Sequence, residues 1–246
     1  MTGRLKEVLL AALLFLTLGA TAAGQEGRGD ARELVARGNE RYARAEYEAA
    51  IALYARVPAT AGETYAQALY NIGVCRFELW QTEEAAQAYE RAVKARGGRY
   101  PKASYALGVA LEDLKRPTEA KAAYERALAD SSGKHAPAHY KLGMLATAGG
   151  DTERAAAHFR EAIRRSGDKF PASHNNLGVM LARAGRLAEA EREFEAALRT
   201  ADAPFEEAAH NLELCRRLLA GRTGEGASGL KVAKGADALE QMRRRR

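Results

Sequence analysis

Apolar residues along most of this 246-residue chain recur at helical spacing, in paired short stretches separated by a breaker. Tyr105-Leu107-Leu111-Leu114 and Ala120-Tyr124-Ala127 form one such pair, interrupted at Arg116-Pro117. Steps of three and four put these side chains on one face of a helix, so each pair predicts a helical hairpin with one apolar side. The hairpins repeat. Gly38, Gly73, Gly108, Gly143 and Gly178 stand 35 residues apart, preceded by Arg37, Ile72, Leu107, Leu142 and Leu177, with Leu212 continuing the column. Twelve residues after each glycine comes Ala50, Ala85, Ala120, Ala155 or Ala190. Four further on stands a ring, Tyr54, Tyr89, Tyr124, Phe159 or Phe194, and three beyond it Val57, Ala92, Ala127, Ala162 or Ala197.

The physical reading of these columns is direct. A mid-helix glycine costs about 1 kcal/mol against alanine, so five of them predict places where the backbone of a second helix approaches, the alanines supplying the other half of the contact. Gly62, Gly97, Gly98, Gly133 and Gly167 fall where second helices end, as left-handed C-caps do, and Pro101, Pro137 and Pro171 open the next first helix, where a missing N–H costs nothing. One hairpin cannot bury its own apolar face, so neighbours must stack and the last needs a polar cap. Residues 205–220 fit that cap: Leu212 is kept, but Glu213 replaces the glycine and Arg216 and Arg217 follow.

The L-G, A-x3-F/Y and A columns resemble the tetratricopeptide repeat (TPR) family over about residues 31–220. Two features depart from it. The aromatic expected four residues before the glycine is Leu34, Leu69, Ser104, His139 or His174, and the late-repeat proline is missing. The resemblance implies an all-α, right-handed TPR α-solenoid of five helical hairpins at 31–65, 66–100, 101–135, 136–170 and 171–205, then a capping helix at 206–220. Residues 221–246, Gly-rich and then basic, have no core to join and are expected to form a flexible tail.

The same resemblance implies that first helices line a concave groove for a peptide. One groove column reads Val35, Tyr70, Tyr105, Tyr140, Asn175 and His210, and another reads Asn39, Val74, Val109, Met144, Val179 and Leu214. Asn71, Asn176 and Asn211 share a third column from which they could bridge peptide amides. Three tyrosines beside an aliphatic row offer contact area at small entropic cost, and the alternative, that they pack between helices, stays open. Glu78, Glu112 and Asp113 fall early in the groove and Arg183 and Arg217 late, which suggests an extended ligand whose ends differ in charge. The family's lysine and asparagine clamp for a C-terminal carboxylate is incomplete: Asn39 matches, but Val35 stands where the lysine belongs.

Charge then narrows the partner. Lys and Arg number 38 against 32 Asp and Glu, a net +6. The tail from 221 holds seven basic residues, Arg222, Lys231, Lys234 and Arg243 to Arg246, against Glu225, Asp237 and Glu240, which leaves the repeat region close to neutral. A neutral body is a poor footprint for nucleic acid. Arg243 to Arg246 supply at most a weak, salt-sensitive contact to anionic lipid. Arg4 and Lys6, an apolar run from Val8 to Leu18 and the small residues Gly19-Ala20-Thr21-Ala22 predict a signal peptide at 1–22, cut after Ala22, with a short linker at 23–30. No stable membrane insertion is expected after cleavage, and the run falls short of the roughly 20 residues a span needs.

No catalytic constellation is legible. Gly133-Lys134-His135 lacks the glycine of a phosphate loop, Leu128 standing in its place, and H-E-x-x-H is absent. His135 and His139 are four apart and His174 shares the column of His139, but no carboxylate or cysteine converges, so no metal or other cofactor is expected. Cys75 and Cys215 lie 140 residues apart at equivalent positions, too far for a bridge, and read as two buried thiols. The expected function is a non-catalytic, exported, periplasmic or envelope scaffold that binds a protein or peptide in its groove. The alternative is a self-associating structural scaffold whose groove takes a neighbour's tail, from Leu230 to Arg246.

Overall fold

The computed structural model describes residues 30–221 and 229–233. Among them the secondary structure is helical, with no strand. After α1 (30–43) come α2 (Tyr47–Tyr54), a single 3-10 turn (Ala59–Ala61), α3 (Glu63–Glu78), α4 (Thr82–Ala95), α5 (Pro101–Asp113) and α6 (Pro117–Asp130). Then follow α7 (Ala136–Ala148), α8 (Thr152–Ser166), α9 (Pro171–Arg183), α10 (Leu187–Thr200) and α11 (Glu206–Leu219). The chain separates into two compact units, one ending at Ala103 and one beginning at Ser104. The 1–22 segment and its cleavage lie outside the described residues, as do Arg243 to Arg246; residue 30, assigned to the linker, is already helical.

The glycine column has a sharper cause than backbone approach. In the first unit the ring of Tyr89 packs against Gly73, and in the second the ring of Phe159 packs against Gly143 and that of Phe194 against Gly178. A Cβ added at Gly143 or Gly178 would sit 2.6 Å from the ring edge. The aromatic sixteen residues later, not a helix backbone, therefore demands the glycine. The alanine columns remain small because they are fully buried at the same seam.

Gly62, Gly97, Gly98, Gly133 and Gly167 are left-handed as expected, and the hairpin turns add a left-handed column that was not expected. The hairpin turn holds a left-handed residue at one fixed position of each repeat: Ala45, Trp80, Lys115, Gly150 and Gly185. Only the last two are the residue type that conformation favours, so the breaker column is invisible in the first three repeats. Pro at the first turn of α6, α7 and α9 and the Asp151 carboxylate, accepting from the Arg154 N–H at 3.0 Å, start helices as their chemistry dictates.

In the second unit α7, α9 and α11 are first-position helices, backed by α8 and α10. Its core joins Tyr140, Phe159, Leu177, Val179, Met180, Phe194, Leu212 and Leu214 with Leu230, and Val232 packs at the edge. Residues 229–233, expected in a free tail, thus do join a core. Cys75 and Cys215 are buried free thiols; burial pushes the Cys75 thiol up to about 12 and raises Cys215 as well.

Candidate peptide groove

Each groove tyrosine is held by two rings. Tyr70 meets Tyr89 and Tyr100 at 5.6 and 5.7 Å between centroids, and Lys102 lies over its face at 4.6 Å. Tyr105 meets Tyr124 and His135 at 5.6 and 4.8 Å. Tyr140 meets Phe159 and Phe170 at 5.9 and 5.0 Å. All three are buried, so the packing alternative describes Tyr70 and Tyr105. The ring that opens each next repeat is what locks them.

Tyr140 does both jobs. Its hydroxyl donates to the Ala233 carbonyl at 2.7 Å, at the end of a segment seated along the second unit's first-position helices. The Asn211 amide N–H donates to the Lys231 carbonyl at 2.7 Å while its Oδ1 accepts the Lys231 N–H at 2.7 Å. One repeat earlier, Asn176 treats Ala233 identically, donating to its carbonyl at 2.9 Å and accepting its N–H at 2.7 Å. A carboxamide bonded to both main-chain groups of one residue mimics a neighbouring strand. Residues i and i+2 present those groups on one side only in extended chain, so 231–233 runs extended against the helices.

The asparagines are themselves tied together. Asn211 donates to the Asn175 Oδ1 at 2.8 Å, and Asn175 donates to Asn176 and to the Lys231 carbonyl, both at 3.1 Å. All three are fully buried, which makes their satisfied bonding obligatory. His210 meets the Gly229 carbonyl at 3.2 Å, Met144 sulfur accepts from Asn176 at 3.2 Å, and a Cβ on Gly229 would lie 3.0 Å from Leu214. The segment runs from α11 towards α7. Leu230 and Ala233 are 5% and 3% exposed, whereas Lys231 points outward.

Other expected groove residues do different work. Asn39 accepts from the Tyr54 hydroxyl at 2.8 Å and from Asn71 at 3.1 Å, an internal tie in the first unit. Val74, Val109 and Val179 are buried and Glu78 is only 4% exposed. Glu112 pairs with Lys141 at 3.0 Å and accepts the Tyr124 hydroxyl at 2.6 Å, so it does not present a bare charge to a ligand. Asp113, Arg183 and Arg217 are exposed. The expected charge gradient is weakened accordingly.

Sequence spacing grouped His139 with His135 and His174 and found no converging carboxylate; in the fold His139 and His174 take other partners, and two carboxylates do reach His174. His139 Nδ1 lies 3.2 Å from His158 Nδ1, and His174 sits between Glu193 and Asp168 at 2.8 and 3.1 Å. Burial lowers the pKa of His135, His139 and His158. Among the described residues no three His, Cys, Asp or Glu side chains are grouped to hold a metal ion. No described helix is long and apolar enough to cross a membrane.

Glycine-and-ring hairpins recurring every 35 residues define a helical repeat protein. The tetratricopeptide repeat profile matches residues 28–99, 80–135 and 140–207, and the chain belongs to that family. The fold is accordingly that of a TPR protein-interaction scaffold. YrrB, a TPR protein with an unusual peptide-binding site, is 23% identical over 78% of this chain and 97% of its own, with a TM-score of 0.59. MamA from Desulfovibrio magneticus RS-1 is 20% identical over 71% of this chain and 98% of its own, with a TM-score of 0.58. PilF of Pseudomonas aeruginosa is 17% identical over 89% and 99%, with a TM-score of 0.66. No curated protein matches.

Proposed function

We propose that this protein is a non-catalytic adaptor whose second unit captures an extended segment of a partner protein by its main chain. The observation that carries this is the repeated two-point clamp, Asn211 on Lys231 and Asn176 on Ala233. Asparagines one repeat apart meet strand residues two apart, about 6.6 Å of chain. Main-chain bonding of this kind supplies affinity, and the pockets beside it supply selection. YrrB, with its peptide-binding site, lends the analogy of a fold used in that way. The test is a peptide array probed with the full chain and with its Asn176→Ala/Asn211→Ala variant. Spots retained only by the unsubstituted chain support the reading, and spots bound equally by both end it.

The N-terminal pattern supports export to the periplasm or envelope as the place of action. Residues 1–22 fused to a reporter active only after export should give signal, and a silent fusion removes this part. Self-association is the second reading, favoured by one observation: a segment of this chain already fits this chain's groove. Sedimentation that rises with concentration and reverts with Leu230→Glu would support exchange of that segment between copies.

A further inference from the structure

The segment in the groove is the chain's own, and it is linked to α11 by only seven residues after Gly221. It does not match the rest of the fold. The hairpins are fastened by columns of small residues and rings, whereas 229–233 is held at its backbone by Asn176, Asn211, Asn175 and Tyr140. Those groups bond main chain whatever its side chains, so any strand of suitable shape competes on equal terms. The side chains restrict that shape. A Cβ at Gly229 would crowd Leu214, Leu230 enters the core, Lys231 faces solvent, Val232 lies half-buried and Ala233 is enclosed beside Tyr140.

We infer that residues 229–233 are a resident pseudoligand that closes the groove in cis, and that a partner enters by displacing it with an extended segment of the same register: small, aliphatic, any, aliphatic, small. This rests on the peptide-capture reading above and adds its regulation and its ligand class. A short tether holds its end at an effective concentration of about 1 mM, so a tail with an intrinsic Kd of about 0.1 mM weakens a competitor about tenfold. The site is gated by occupancy, and its strength is set by the tail's own fit.

The experiment titrates a labelled, end-capped SGLKVAK peptide into the full chain, its Leu230→Glu variant, and Leu230→Glu combined with Asn176→Ala/Asn211→Ala. The charge on residue 230 should expel the tail, so that Leu230→Glu binds about tenfold more tightly than the unsubstituted chain. The combined variant should lose binding, as should the peptide with phenylalanine in place of its alanine, the equivalent of Ala233. Circular dichroism verifies that each variant is helical. Hydrogen exchange gives an independent reading: the Lys231 and Ala233 amides should be protected in the unsubstituted chain and lose protection as peptide is added. Equal affinity for the unsubstituted chain and Leu230→Glu overturns the gate and leaves the capture reading standing. No binding to either helical protein, even at millimolar peptide, overturns the capture reading itself. Protection that rises with protein concentration would overturn closure in cis in favour of exchange between copies.

Discussion

The two units use asparagine at the same repeat position for opposite ends. Asn71 in the first unit is half-buried and donates to Asn39, whose oxygen also takes the Tyr54 hydroxyl, so the amide is consumed by its own stack. Asn176 and Asn211 in the second unit are fully buried and spend donor and acceptor together on a foreign-shaped strand. Between them in sequence that position holds Ala106 and Lys141, the latter paired to Glu112. A column of residue types therefore does not define a groove. What lies over each member decides whether it reads a chain or ties a helix.

The largest way to break the contrast is to remove the readers. Asn176→Ala with Asn211→Ala leaves the Lys231 and Ala233 N–H groups without their acceptors while Asn175 and Tyr140 still reach the carbonyls, a loss of about 2–4 kcal/mol in holding the segment. Asn39→Ala with Asn71→Ala should leave it seated; hydrogen exchange at Lys231 and Ala233 measures both. Next, Gly73→Val and Gly178→Val should each destabilise by about 3 kcal/mol, because the added carbons meet the Tyr89 or Phe194 ring in a packed core. Thermal denaturation followed by local exchange would show the damage centred on the substituted unit.

A smaller effect runs the other way. Trp80→Gly and Lys115→Gly relieve left-handed backbone at φ of 62° and 60°, and each should stabilise by about 1 kcal/mol. A gain in urea midpoint at unchanged slope is the expected sign. The smallest effect separates the units by pH. All five histidines lie at or after His135, in the second unit. Burial holds His135, His139 and His158 below their ordinary pKa of about 6.5, so the unfolded chain binds protons first as pH falls. Their contribution is complete above that value and is lost below it. Protection factors in α7 and α8, which correct exchange for its intrinsic slowing in acid, should fall from pH 7 to about pH 5.5 while those in α3 and α4 hold steady.

Much of the architecture was legible because it is periodic. The glycine, alanine and ring columns forecast the hairpins and the capping helix, since a ring on a glycine is a one-to-one constraint that leaves its mark at a fixed spacing. The groove was legible in part. Asn175, Asn176, Asn211, Tyr140 and His210 come together on the strand, but Asn39, Glu78 and Glu112 are bound into their own unit. Nothing in the residue types distinguishes an amide with a free donor from one whose donor a neighbour has taken.

By itself, then, the amino-acid sequence determined the period, the helices and the class of repeat, because close packing allows few residue types at each seam. Only the tertiary structure decided that residues 229–233 return to the face of α7, α9 and α11. Main-chain hydrogen bonds carry that contact, and since every residue but proline owns the same N–H and C=O, they write no pattern into the sequence.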